Sequence, residues 1–122
     1  MKNKVLLIED NQDIRENAAE LLELYGFEVL VADCGEAGLY LTDLHPDLII
    51  SDVVMPGISG YDVFNQLQED SLKKNIPFIF TTALSEKRDQ DIAKVMGIQN
   101  YLIKPYDEAE LINCIRKCLD II

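Results

Sequence analysis

The chain has 122 residues, 48% of them apolar, which suits one domain with one core and argues against disorder. Its 22 acidic and 11 basic residues give a net charge of -11, which repels nucleic-acid phosphates and suits cations and basic protein partners. No apolar run approaches the roughly 20 residues that a membrane span needs. Met1-Lys2-Asn3-Lys4 leads into a short Val5-Leu6-Leu7-Ile8 with no small-residue cleavage site, so residues 1–122 read as one cytoplasmic domain.

Short apolar runs alternate with amphipathic stretches along the whole chain. The first run is Val5–Ile8, nearly unbroken and so suited to burial on both faces of a parallel sheet. Ile14, Ala18, Leu21, Leu22 and Tyr25 follow at helical spacing, and Gly26 stops them. The second strand is expected at Phe27–Ala32, placed at the sheet edge, and a helix marked by Ala37, Leu41 and Leu44 follows, ended by Pro46. Leu48–Ser51 is again a buried strand. The next helix follows Ser59-Gly60 and carries Phe64 and Leu67. Phe78–Phe80 is the fourth strand, and Ile92, Val95 and Met96 mark a helix closed by Gly97. Tyr101–Ile103 is the fifth strand. The last helix carries Leu111, Ile112, Ile115 and Leu119, with Asp107 and Glu110 spaced as a capping box.

Strand and helix alternating in this way imply a parallel sheet with right-handed crossovers and helices on both faces. Ligands of such sheets bind beyond the carboxyl ends of the strands. The residues there are Glu9 and Asp10 after the first strand and Asp52 after the third. Thr81 and Thr82 follow the fourth, and Lys104 follows the fifth. Two carboxylates about 4 Å apart repel by roughly 4 kcal/mol at an effective dielectric near 20. Three acids gathered in one crevice therefore call for a proton or a cation. Oxygen ligands without His or Cys favour a hard cation such as Mg²⁺ (or Mn²⁺). A carboxylate beside such an ion can attack phosphorus, and a metal, an ammonium and a hydroxyl would neutralise the charge that develops.

Four motifs complete the pattern: Leu7-Ile8-Glu9-Asp10, Asp52-Val53-Val54-Met55-Pro56-Gly57, Thr82-Ala83, and Tyr101-Leu102-Ile103-Lys104-Pro105. Together they resemble the receiver domain of two-component response regulators, the chemotaxis and sporulation single-domain types included, over essentially the whole chain. The resemblance implies a flavodoxin-like three-layer α/β/α fold, a doubly wound five-stranded parallel sheet of order 2-1-3-4-5. It implies Asp52 as phosphoacceptor and Asp10 as direct metal ligand, with Glu9 acting mostly through metal-bound water and the Val54 carbonyl completing the set. Thr82, which lies 22 residues before Lys104, matches the switch hydroxyl, and Lys104 the phosphoryl-binding lysine. Thr81, one position early, is expected to point elsewhere. Tyr101 matches an aromatic switch, although plain packing is the commoner role for an aromatic at a strand start. The Lys104-Pro105 bond is expected cis. The implied partners are a histidine kinase or histidine phosphotransfer protein, and an effector or output domain. The family also admits a phosphorylation-dependent homodimer. The implied activity is a phosphorylation switch without turnover of external substrates.

Three other readings compete with it. An interaction module that ignores phosphate conflicts with the intact Glu9-Asp10 pair, Asp52, Thr82 and Lys104. A hydrolase of the haloacid dehalogenase type needs an acid two residues past the nucleophile, where Val54 stands. No Gly-rich phosphate loop supports a nucleotide enzyme. Glu9 and Asp10 suit the N-terminus of the first helix as well as a metal. Apolar Val54 and Leu84 are expected to slow water entry and prolong the phosphoryl state. Cys34, Cys114 and Cys118 make an odd set without a secretory signal. Cys114 and Cys118, four apart on one helix face, read as small packing residues rather than half of a metal site or a redox pair. His45, the only histidine, reads as a helix-end residue rather than a phosphorelay group. The apolar end Leu119-Asp120-Ile121-Ile122 fits either a docked terminus or a cut before an output domain.

Overall fold

The computed structural model describes residues 2–83, 91–92, 94–97 and 100–120. Its strands are β1 (Lys4–Ile8), β2 (Glu28–Ala32), β3 (Leu48–Asp52), β4 (Phe78–Thr82) and β5 (Asn100–Ile103). They form one parallel sheet in the order β2-β1-β3-β4-β5. The helices are α1 (Gln12–Leu24), α2 (Gly35–Leu41), α3 (Gly60–Gln68) and α4 (Glu108–Leu119). Residues 91–92 and 94–95 are also helical, and Gly97 closes that segment at φ 82°.

Alternation along the strands sorts the core into two clusters. Val5, Leu7, Leu48, Ile50, Ile79 and Leu102 face α1 and α4, and meet Ala18, Leu22, Leu111, Ile112 and Ile115. Leu6, Ile8, Ile49, Phe78 and Phe80 face the other way, toward Val63 and Leu67 of α3, with Ala37 and Leu41 of α2 alongside. This is the three-layer arrangement that the sequence implies. β1 and β3 are buried on both faces, as their unbroken apolar runs require. Each Leu, Ile or Phe fully buried here contributes about 1.5–3 kcal/mol relative to exposure.

The helix starts are fixed by local hydrogen bonds. Asn11 caps α1 by accepting from the Ile14 amide at 3.0 Å, so neither Glu9 nor Asp10 fills that position. Ser59 and Asp62 form a capping box on α3, and Asp107 and Glu110 form the expected one on α4. Where a helix through Leu44 is predicted, α2 ends at Leu41 and tightens into a single 3₁₀ turn, Thr42–Leu44. His45 terminates that turn at φ 53°, the end position read for it from sequence. Gly38 lets α2 approach β1: a Cβ there would stand 2.3 Å from Cδ1 of Ile8.

Candidate functional site

The acidic and basic groups meet because of register. Ile8 pairs with Ser51, so Glu9, one residue further, stands beside Asp52, the last residue of β3. Asp52 pairs with Thr81, and Thr82 with Ile103. The Lys104 amide donates to the Thr82 carbonyl at 2.7 Å, which carries the lysine to the same end of the sheet. Its Nζ lies 2.5 Å from Oε1 of Glu9 and 3.0 Å from Oδ2 of Asp52. Glu9 and Asp52 are buried and Asp10 is exposed. The Lys104-Pro105 peptide is cis, as expected.

Chain alternation assigns these groups to different sides. Glu9, Asp52 and Lys104 share parity with Leu7, Ile50 and Leu102 and so belong to the α1/α4 face. Thr82 and Tyr101 share parity with Phe80 and Ile103, and so alternate onto the other side. Thr81, on the opposite parity to Thr82, is buried, and Thr82 is 1% exposed. Tyr101 is half-buried and packs against the cluster that contains Phe80. Val54 turns its side chain out to solvent, 60% exposed. Leu84 lies outside the described residues.

Burial pushes the Glu9 carboxyl above the usual carboxylate range, against the opposing pull of its hydrogen bond from Lys104. Burial alone would lower the Lys104 ammonium, but its hydrogen bonds to Glu9 and Asp52 outweigh this and the group is raised. Two acids share one ammonium at this end, with Asp10 alongside. One carboxylate oxygen from each of Glu9, Asp10 and Asp52 can be chosen so that all lie within 4.8 Å of one another. An octahedral Mg²⁺ with bonds of about 2.0–2.1 Å sets opposite ligands about 4 Å apart, so these oxygens fit it with small movements. The residues present therefore suit the ion that the sequence implies.

Two contributors escape a reading of motifs. Gly60, noted only as the start of α3, donates its amide to the Val53 carbonyl at 2.8 Å. A Cβ on it would stand 2.3 Å from the Asp52 carbonyl oxygen, so glycine is required for α3 to start against the end of β3. Arg15, one turn into α1, donates from Nη1 to the Glu9 carbonyl at 2.9 Å and holds the acidic loop. Its signal in the sequence is a cation following the acid pair at helical reach.

The chain matches the family model for the response regulator receiver domain over residues 5–116. It is 37% identical over 117 residues to "Transcriptional regulatory protein CpxR" of Escherichia coli (strain K12), covering 96% of this chain and 49% of that one. It is 35% identical over 123 residues to "Probable transcriptional regulator ycf27" of Galdieria sulphuraria, covering 98% of this chain and 47% of that one. The chain thus spans about half the length of these curated relatives. Among solved structures it resembles the chemotaxis protein CheY4 of Vibrio cholerae, with TM-score 0.91 and 28% identity, covering 98% of this chain and 100% of that one. With the family model, the relatives, the fold and the order of the sheet agreeing, the chain belongs to the response regulator receiver domain family, whose members are signalling switches of two-component systems.

Proposed function

We propose that this domain is a phosphoacceptor switch in which Asp52 takes a phosphoryl group from a phosphohistidine of a histidine kinase or histidine phosphotransfer protein. The resulting change alters contacts with an effector protein or output domain. The observation that carries this reading is the Lys104 ammonium, 3.0 Å from Asp52 and held also by Glu9, at the carboxyl end of the sheet.

In the transfer, a carboxylate oxygen of Asp52 forms the bond to phosphorus as the phosphorus–nitrogen bond of the donor breaks. The departing imidazole nitrogen keeps the electron pair. Mg²⁺ or Mn²⁺ held by Glu9, Asp10, Asp52 and the Val54 carbonyl would supply charge neutralisation at the phosphoryl oxygens. Asp10 would serve as the direct ligand, with Glu9 acting mostly through water. Lys104, positioned by the Thr82 carbonyl, offers its ammonium to another phosphoryl oxygen. The Thr82 hydroxyl donates to a third, and the Tyr101 ring follows it inward. Turnover of external substrates is not part of this reading, because Val54 stands where a hydrolase would need an acid.

Incubation with acetyl phosphate and Mg²⁺, followed by intact mass, tests it. The expected result is one added phosphoryl group in the wild type and none in Asp52→Asn. Addition that persists in Asp52→Asn, or none in the wild type, contradicts it. The exposed apolar Val54 and the apolar Leu84 should also prolong the phosphoryl state, so Val54→Asn and Leu84→Glu are expected to hasten its loss. Unchanged decay in both variants would end that expectation.

A further inference from the structure

The segment between β3 and α3, residues 53–59, is held at both ends. At its start the Val53 amide donates to the Thr81 carbonyl at 3.0 Å, and the Val53 carbonyl accepts from Gly60 at 2.8 Å. Met55 is buried in the cluster under α2 and α3, and Ile58 packs against it. The far end is held from the first turn of α2. There Oε1 of Glu36 accepts from the Ile58 amide at 3.3 Å, across 22 positions of sequence.

Two glycines make that contact possible. A Cβ on Gly57 would stand 3.0 Å from Oε2 and 3.1 Å from Oε1 of Glu36, so the carboxylate lies against the bare face of that residue. Gly57 also has φ 81°, in the left-handed region that glycine enters at little cost. Gly35 leaves room for the Ile58 side chain, because a Cβ there would stand 2.5 Å from Cγ1 of Ile58. Gly35 and Glu36 thus receive the side chain and the main chain of one residue. An acid in the first turn of a helix has a plainer use, since it suits the positive end of the helix dipole. That use needs charge alone, with no particular reach and no bare Gly57 opposite.

We propose that Glu36 is a positioning residue for the main-chain metal ligand of the acidic site: by holding Ile58, it fixes the loop that carries the Val54 carbonyl. The inference rests on the phosphoacceptor reading, in which that carbonyl completes the set with Glu9, Asp10 and Asp52. A side-chain ligand can adjust through its own torsions, whereas a carbonyl moves only with its backbone. The restraint on the loop is therefore the restraint on the ligand. Partners behind metal ligands typically change affinity by about 10–100-fold. Glu36 acts at Ile58, four residues past Val54, and shares the task with Met55 and Gly60, so its effect is smaller.

Mg²⁺ titration of the full chain, followed by amide NMR shifts, tests this together with amide exchange at Ile58 in Mg²⁺-free buffer. Glu36→Ala is expected to weaken Mg²⁺ binding by about 3–10-fold and to speed exchange at Ile58. Glu36→Gln keeps an oxygen at the same reach without the charge, and should stay near the wild type in both measurements. Glu36→Asp keeps the charge but is one methylene short, and should behave as Glu36→Ala does. Wild-type affinity in Glu36→Ala, or unchanged exchange at Ile58, would overturn the proposal and leave the phosphoacceptor reading standing. So would Glu36→Gln as weak as Glu36→Ala, or Glu36→Asp as tight as the wild type, because charge alone would then be acting. A wild type that binds no Mg²⁺ would overturn both.

Discussion

The two faces of the sheet differ in what fills them. The α1/α4 face is aliphatic, built on Val5, Leu7, Leu48, Ile50 and Ile79, and carries Glu9, Asp52 and Lys104 at its carboxyl end. The α2/α3 face is aromatic. Phe78 and Phe80 stand edge to face at 4.8 Å between ring centroids, Phe64 lies 5.4 Å from Phe78, and Tyr61 lies 5.1 Å from Phe80. Thr82 and Tyr101 alternate onto this side. Charge is thus concentrated beside a core of interchangeable methyl groups, whereas the predicted switch residues adjoin rings whose mutual orientation matters. An aliphatic cluster tolerates small volume changes more readily than a set of rings packed edge to face. On the proposed reading, the groups that take up phosphoryl charge and the residues that read it would lie on different faces.

The largest expected effect is on the aromatic side. Phe80→Ala, at a fully buried position with several ring contacts, should lower stability by about 3–5 kcal/mol. Ile50→Val on the aliphatic face should cost only about 0.5–1.5 kcal/mol. Equal losses in urea unfolding would erase the difference between the faces. Next are the two glycines at close approaches. Gly60→Ala and Gly38→Ala should each destabilise by about 1–3 kcal/mol through overpacking. Only Gly60→Ala presses on the Asp52 backbone, because the Gly38 clash is with the Ile8 side chain. Acetyl phosphate kinetics should therefore slow in Gly60→Ala and hold in Gly38→Ala.

The smallest effect is electrostatic. Glu9 titrates above the usual carboxylate range when folded, so the folded chain holds that proton more readily than the unfolded one. Its contribution is present at low pH and is lost as pH rises from the ordinary carboxylate range through the raised value. Lys104 is raised as well, so its contribution is intact across that window and is lost only as pH rises through its raised alkaline value. In Mg²⁺-free buffer, the stability of the wild type relative to Glu9→Gln should therefore fall as pH rises through the Glu9 window. Mg²⁺ should restore more stability to the wild type than to Glu9→Gln at neutral pH. A pH-independent difference between the two proteins would count against the burial argument.

Much of this was legible in the sequence. The strands were visible as apolar runs, but the runs stop short of the ladder. Asp52 and Thr81 are paired strand residues, and β4 continues to Thr82, although polarity alone suggests loops. Hydrogen bonding, not hydrophobicity, sets those ends. The convergence of Glu9, Asp52 and Lys104 could be read from strand ends because parallel strands of similar length bring their last residues together. Gly60 and Arg15 were not legible as site residues. Gly60 acts through a backbone approach, which leaves no side-chain pattern, and Arg15 acts on a main-chain carbonyl, so its only trace is a cation at helical reach of the acid pair.

The most direct measurement follows the Tyr101 ring by NMR as Mg²⁺ and beryllofluoride, a phosphoryl mimic, are added to the wild type and to Thr82→Ala. If phosphoryl charge gathered by Asp52 and Lys104 is read on the aromatic face through Thr82, the ring signals shift in the wild type and stay in place in the variant, while signals near Asp52 respond in both. A Tyr101 ring that moves equally in both proteins, or in neither, would contradict the account.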